Sequence, residues 1–201
     1  ADRRVVSVCR GSDQLVEGTP SVGVDNRSGV FAALEYLVRL GHRRIAHITV
    51  RRFGDFFERE QAYRDFILER VGELPVGYVQ HEENSYEGGY RATQVLLGLP
   101  QRPSAILVAD DTMAIGALGA AHDAGIRVPR DLSVVGFDDI KIAAHVRPAL
   151  TTVRQPIEEI GRRAVELLTE LIEARAAPEP LPRIVLAPEL VVRASCAPPP
   201  G

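Results

Sequence analysis

Hydrophobic positions along the chain switch repeatedly between short apolar runs and helical spacing. The runs "RRVVSVCRG" (3–11) and "PSVGVD" (20–25) predict short strands. Val30, Ala33, Leu34, Leu37 and Val38 then recur at i, i+3, i+4, i+7 and i+8. That spacing puts them on one face of a helix, capped by Asp25 or Asn26 and closed by Gly41. "RRIAHITV" (43–50) reads as a strand. A second helix follows from about Glu58 to Val71, with Tyr63, Phe66, Ile67 and Val71 on one face. "VGYVQ" (76–80) is strand-like, and "YEGGYRATQVLLGL" (86–99) is a helix stopped before Pro100. "SAILVAD" (104–110) is a buried strand. Asp111 or Thr112 caps a helix through Ala114, Ala117, Leu118 and Ala121 to Gly125. After "DLSVVGFDD" (131–139) and a loop to about Thr152 comes a long amphipathic helix carrying Ile157, Ile160, Ala164, Leu167, Leu168 and Leu171, with Pro156 near its first turn. Past the Pro-rich "APEPLP" (177–182) lie two more apolar runs, "RIVLAP" (183–188) and "ELVVRA" (189–194), and a tail, "APPPG", expected to be disordered.

Strands alternating with helices at this spacing predict βαβ units and a mostly parallel sheet. In such sheets ligands bind beyond the carboxyl ends of the strands. Acids follow three strands at that edge: Asp25, the pair Asp110 and Asp111, and the pair Asp138 and Asp139. Asp25 and Asp111 read as helix N-caps. Capping leaves Asp110 and Asp138 unexplained, each the first acid after its strand. Carboxylates aimed into a crevice accept hydrogen bonds from the hydroxyls or amines of a polar ligand.

Composition narrows the chemistry. The 201 residues are 45% hydrophobic and 25% charged with a formal net charge of −3, which describes a globular chain with one good core or two small ones. No segment approaches the roughly 20 apolar residues of a membrane span. The start shows no apolar signal region, so a cytoplasmic protein is expected. It also lacks an initiator Met and enters a strand almost at once, which reads as a piece of a longer chain; mature processing would look similar. Lys141 is the only Lys and the Arg residues are scattered, so this segment alone presents no basic stripe for nucleic acid. Cys9 and Cys196 have no metal-ligand spacing, and Cys9 reads as a small core residue. Phosphate-cradling glycine loops, a nucleophile elbow and paired-His motifs are missing. No enzyme activity, cofactor or metal is expected, and binding is the better reading of the acids.

The motifs, taken in order, carry a family resemblance. "SVGVDNRSGVFAALEYLVRLGHRRIAHI", "ILVADDTMAIGALGAAHDAGIRVPRDLSVVGFDDI" and "PALTTVRQPIEEIGRRAVELL" resemble the effector-binding core of the lactose/galactose-repressor family of bacterial transcription regulators, from about Val5 to Ser195. The resemblance implies an α/β, two-lobe periplasmic-binding-protein-like (type I) fold with parallel sheets flanked by helices and the first lobe incomplete. Residues 1–41 and 154–182 would form the remainder of that lobe, 42–153 and 183–197 the other, and 198–201 a disordered tail. A small carbohydrate-like effector would sit between the lobes of a homodimer. Operator DNA would be reached only through an amino-terminal helix-turn-helix that this segment lacks. Matched position by position, Asp110, Asp138 and Gln155 would face the effector, with Asp25 a weaker candidate, and Asp111 and Asp139 more structural. Relatives more often carry Asn at the position of Asp110. They also often place an Arg six residues before the aromatic that Tyr63 matches; here that position is Phe57, and Arg59 is expected on another helix face. Asn84 falls where relatives commonly hold a ring-stacking aromatic. The rival within the fold is a secreted solute-binding protein of a sugar transporter.

Overall fold

In the computed structural model of the chain, the described residues are 5–9, 19–51, 54–173 and 180–200. Their elements run β1 (Ser7–Val8), β2 (Ser21–Val24), α1 (Asn26–Arg39), β3 (Ile45–Thr49), α2 (Gly54–Arg70), β4 (Val79–His81), α3 (Tyr86–Leu97), β5 (Ala105–Val108), α4 (Asp111–Asp123), β6 (Ser133–Asp138), a short 3-10 turn (Lys141–Ala144), β7 (Thr151–Arg154), α5 (Ile157–Glu173), β8 (Arg183–Leu186) and β9 (Glu189–Val191). The parts of "RRVVSVCRG" and "APEPLP" at 3–4, 10–11 and 177–179 lie outside the described residues.

The strands form two sheets. A small one has the order β1-β2-β8, and a large one β4-β3-β5-β6-β7-β9. Every pairing is parallel except β7 with β9. The central strands β3 and β5 are buried along their whole length, as parallel strands covered on both faces must be. One face of the large sheet packs Ala46, Ile48, Ile106, Val108 and Val134 against α3 and α4. The other packs Ile45, Leu107, Val135, Phe137 and Val153 against α1 and α2. The small sheet has a core of its own: Val22 and Val24 against Ile160, Leu167 and Leu171 of α5.

The expected partition into lobes differs from this topology in two places. Helix α1 follows β2 yet packs on α2 and on β5, β7 and β9 of the large sheet, so the chain crosses over at Asp25 and Asn26, not after Gly41. The contact is close: a Cβ at Gly29 would lie 2.9 Å from Pro188 and 3.1 Å from the Phe137 ring. Strand β8 in turn pairs with β2, from Ser21 with Arg183 to Val24 with Leu186, so 183–186 belong to the small sheet. The chain thus crosses between sheets at 25–26, at 155–156 and at 187–188. The expected disordered tail is corrected as well. Ala197 donates its backbone N–H to Ser133 Oγ at 3.1 Å, its carbonyl lies 2.9 Å from buried His42 Nε2, and Pro199 rests beside Gly41. Gly201 lies outside the described residues.

Helices α3 and α4 lie backbone to backbone through two glycines. A Cβ at Gly89 would stand 1.9 Å from Met113 O, and one at Gly116 2.0 Å from Tyr86 O. Neither carbonyl can yield without moving a helix. Gly116→Ala is therefore expected to cost about 1–3 kcal/mol, the usual range for overpacking, read from the urea midpoint.

Candidate effector site

The site stands at the carboxyl edge of the large sheet, where the crossings leave it. Asp110 follows β5 in extended conformation and caps α4: its Oδ1 accepts from Thr112 N at 2.7 Å and Met113 N at 3.2 Å. The cap is thus Asp110, not Asp111 or Thr112. Asp111 is the first helical residue, turned inward and fully buried. It accepts the Thr152 hydroxyl at 2.6 Å and the Ile140 N–H at 2.9 Å, tying α4 to β7 and to the loop after β6. Burial pushes its carboxyl up to about 6 against those bonds.

The two acids that end β6 have separate tasks. Both adopt positive φ, 113° at Asp138 and 57° at Asp139, a conformation that costs a non-glycine residue about 1–3 kcal/mol. Asp139 holds the turn by pairing with Arg154 at 2.7 Å and Arg193 at 2.6 Å; its carboxyl is drawn down by those two guanidiniums despite burial. Asp138 turns toward the crossings. Its Oδ1 accepts from Gln155 Nε2 at 2.5 Å and lies 3.5 Å from an Arg59 nitrogen. Burial pushes the Asp138 carboxyl up to about 7; Arg59 opposes the shift and the facing Asp110 carboxyl adds to it. Gln155 Oε1 is buried and unpaired among the described residues.

Arg59 corrects the sequence reading. It donates to Asn26 Oδ1 at 2.9 Å and to Ala109 O at 2.6 Å, reaches Asp138, and lies 3.7 Å over the Phe137 ring, only 3% exposed. The reason is helical geometry. Positions 59 and 63 are four apart and about 40° from each other around an α-helix, whereas 57 and 63 are about 240° apart. Tyr63 is fully buried against the sheet, its hydroxyl donating to Ile45 O at 2.8 Å, so Arg59 must face the same way and Phe57 must not. A guanidinium does stand at the cluster, with its donors already engaged by the protein.

Phe57 lines a cavity of about 450 Å³ between the small sheet and the starts of α1 and α2, together with Asp25, Asn26, Asp55 and Glu58. Asp25 caps α1, accepting from Ser28 N at 2.9 Å. Asn26, one of the two cap candidates, has a larger part than a cap. Buried, it donates to Asp55 at 3.1 Å and Glu58 at 2.8 Å while accepting from Arg59, so it joins this cavity to Asp138. A second, open cavity of about 1100 Å³ lies on the other side, lined by Asp138, Gln155, Pro156 and the first turn of α5. Cys9, just past β1, also has Asp55, Arg59 and Asp138 within electrostatic reach, so the cluster is shared by both sheets. Asn84 is not brought to it. It is exposed in the loop after β4, the outer strand, two strand intervals from β5.

A two-sheet α/β chain crossed three times, with a polar cluster at the crossings, has the architecture of a periplasmic-binding-protein-like ligand domain. The profile described as periplasmic binding protein-like domain matches residues 34–196. The HTH-type transcriptional regulator reg1 of Streptomyces lividans is 38% identical over 188 residues, 90% of this chain and 53% of that protein. The crystal structure of a regulatory protein of the LacI family from Chloroflexus aggregans superposes with a TM-score of 0.85 at 36% identity, covering 95% of this chain and 68% of that one. A complex of the transcriptional regulator CelR with cellobiose has a TM-score of 0.85 at 34% identity, covering 94% and 58%. The chain belongs to the LacI family, the lactose/galactose-repressor family that its motifs resemble. It spans about half the length of the curated relatives it matches. Among the described residues, no helix is long and apolar enough to cross a membrane, and no group of three or more His, Cys, Asp or Glu is placed to hold a metal ion.

Proposed function

We propose that this domain is the effector sensor of a cytoplasmic transcriptional regulator. It takes a small sugar-like molecule into the cleft between the sheets, and occupancy changes how a homodimer presents its DNA-binding parts to an operator. The observation that carries the reading is the Asp138–Gln155–Arg59–Asn26 chain. It presents hydrogen-bond acceptors to the cleft and joins two of the three crossings, at Asn26 and at Gln155. A ligand that bridges the cleft favours one angle between the sheets over another, and its leverage equals its difference in affinity for the two states. The relatives are helix-turn-helix regulators, and one neighbour holds cellobiose, which favours a regulator over a transporter's binding protein. A thermal-shift screen of hexoses, disaccharides and nucleosides tests it: at least one compound raises the melting temperature of the wild-type chain and fails to raise that of Gln155→Ala. Stabilisation by none of them would remove the sugar-like effector from this reading.

The dimer is proposed to form through α3 and α4. Ala114, Ala117 and Ala121 are spent on the chain's own core, and Gly119 makes room for the Tyr86 hydroxyl. Between the two helices there remains a surface groove of about 380 Å³ with Tyr90, Gln94 and Asp123 on its walls. Sedimentation at micromolar concentration is expected to give twice the 21.9 kDa chain mass, and Tyr90→Glu to halve it.

A further inference from the structure

The cleft is rich in carboxyl groups for a site that holds one buried guanidinium. Asp25, Asp55 and Glu58 line the smaller cavity, Asp138 the larger, and the Asp110 carboxyl faces that of Asp138. The cations near them are engaged. Arg59 serves Asn26, Ala109 and Asp138; Arg27 is turned to Asp65 at 2.5 Å, under Phe31; Arg154 and Arg193 serve Asp139. Two facing carboxyls in a buried place stay together only with a proton or a cation between them. Gln155 Oε1, buried and unpaired among the described residues, adds one more acceptor beside the pair. A ligand group that fits must donate several hydrogen bonds and accept none, which describes an ammonium.

We propose that the Asp110–Asp138 pair selects an effector with a basic nitrogen, an amino sugar or a comparable amino polyol, whose ammonium enters beside Gln155 and replaces the proton held between the two carboxyls. The proposal rests on the sugar-like effector above and narrows its class. At the position of Asp110 an Asn would donate a neutral N–H to Asp138; an Asp cannot, and this chain therefore places a second acid where a cation is the better complement. The charge balance is simple. The ammonium arrives charged, the protonated pair becomes two carboxylates, and one proton leaves to solvent. Asp138, pushed up to about 7, holds that proton in the empty site near neutral pH. The groups facing it are Arg59 from α2, Asp110 and Asp111 from the start of α4, and Cys9 after β1. Arg59 opposes the uptake of the proton and Asp110 favours it. Affinity for the amine then rises from about pH 6 to about pH 7.5, above which an α-amino-like nitrogen begins to lose its own charge.

Calorimetric titration of the chain with matched series decides the matter: glucosamine, glucose and glucuronic acid, with their galacto and manno counterparts, each at pH 7 in phosphate and in Tris. In at least one series the amino sugar is expected to bind tenfold or more tightly than its parent hexose, and the uronic acid more weakly than either. The apparent enthalpies in the two buffers are expected to differ by the buffer heat of one released proton. Asp110→Asn keeps the carbonyl that caps α4; it is expected to bind the parent hexose as well as the wild type does and to lose both the preference for the amine and the released proton. A neutral hexose that binds as tightly as its amino counterpart, or equal enthalpies in the two buffers, would overturn the amine class and leave the sugar-like effector standing. Binding of no compound in any series would overturn both.

Discussion

Asp138→Asn is expected to cut effector affinity by about 10- to 100-fold, the worth of a charge-assisted hydrogen bond of roughly 1.5–3 kcal/mol, while making the empty domain more stable at pH 8. The two effects have one origin. Asp138 ends a strand at positive φ, 23% exposed at its side chain, with another acid facing it. Its folded pKa, about 7, lies above the ordinary carboxylate value of about 3.9. For a raised group the folded state binds more protons than the unfolded one, so its contribution is present at low pH and is lost as pH rises through about 7. An amide at this position has no charge to desolvate. Melting curves of the variant and wild type should therefore converge near pH 4 and separate by about 1–2 kcal/mol in favour of the variant at pH 8. A variant that is less stable at pH 8 and binds effector normally would make Asp138 a structural residue.

Arg59→Ala is expected to have the largest effect on the fold of any substitution at the site, a loss of about 3–5 kcal/mol, because removing one partner of a buried ion pair leaves the other charge uncompensated. Four contacts go at once: Asn26, Ala109 O, Asp138 and the face of Phe137. The loss also has a pH signature. Arg59 holds the Asp138 pKa down, so without it the folded pKa climbs further above the unfolded value and the deficit grows as pH rises from 5 toward 8. Urea unfolding at pH 5.5 and at pH 8 reads both the size and the slope. Phe57→Ala, one turn earlier and only half-buried, is expected to change stability by about 1 kcal/mol or less. An Arg59→Ala deficit that is the same at both pH values would separate Arg59 from the charge of Asp138.

Local order was legible in the sequence because it obeys local periodicity. The buried face of α1 is Val30, Ala33, Leu34 and Leu37, as the spacing required, and the acids do gather at the carboxyl ends of β2, β5 and β6. What could not be read is where an apolar face goes. The stripe on α1 fits either sheet, and only the tertiary structure sends it to the larger one. The adjacent runs "RIVLAP" and "ELVVRA" look alike, yet β8 pairs with β2 and β9 with β7, since strand pairing is decided by partners far along the chain. Asp110 and Asp111 are neighbours of one type whose roles were exchanged by a single step at the helix boundary, the least certain feature of any sequence reading. Arg59 was within reach: its spacing of four from Tyr63 carries the information that the count of six to Phe57 obscured.

The three crossings also set an order of assembly. Strand β9 closes the large sheet against β7, and Ala197 satisfies His42 and Ser133, only after the chain has gone out to the small sheet through α5 and β8 and come back. Most of the large sheet, β3 to β7, is synthesised long before residues 189–197. On a ribosome adding about 5–20 residues per second, those strands wait several seconds for their last edge, with Leu150, Val153 and the His42 imidazole without their final cover. Neither sheet is an independent piece that a cut between lobes could release whole. A stop codon placed after Leu186 would retain every acid of the cleft, and would yield a domain whose binding groups are all present on a body that has not been closed.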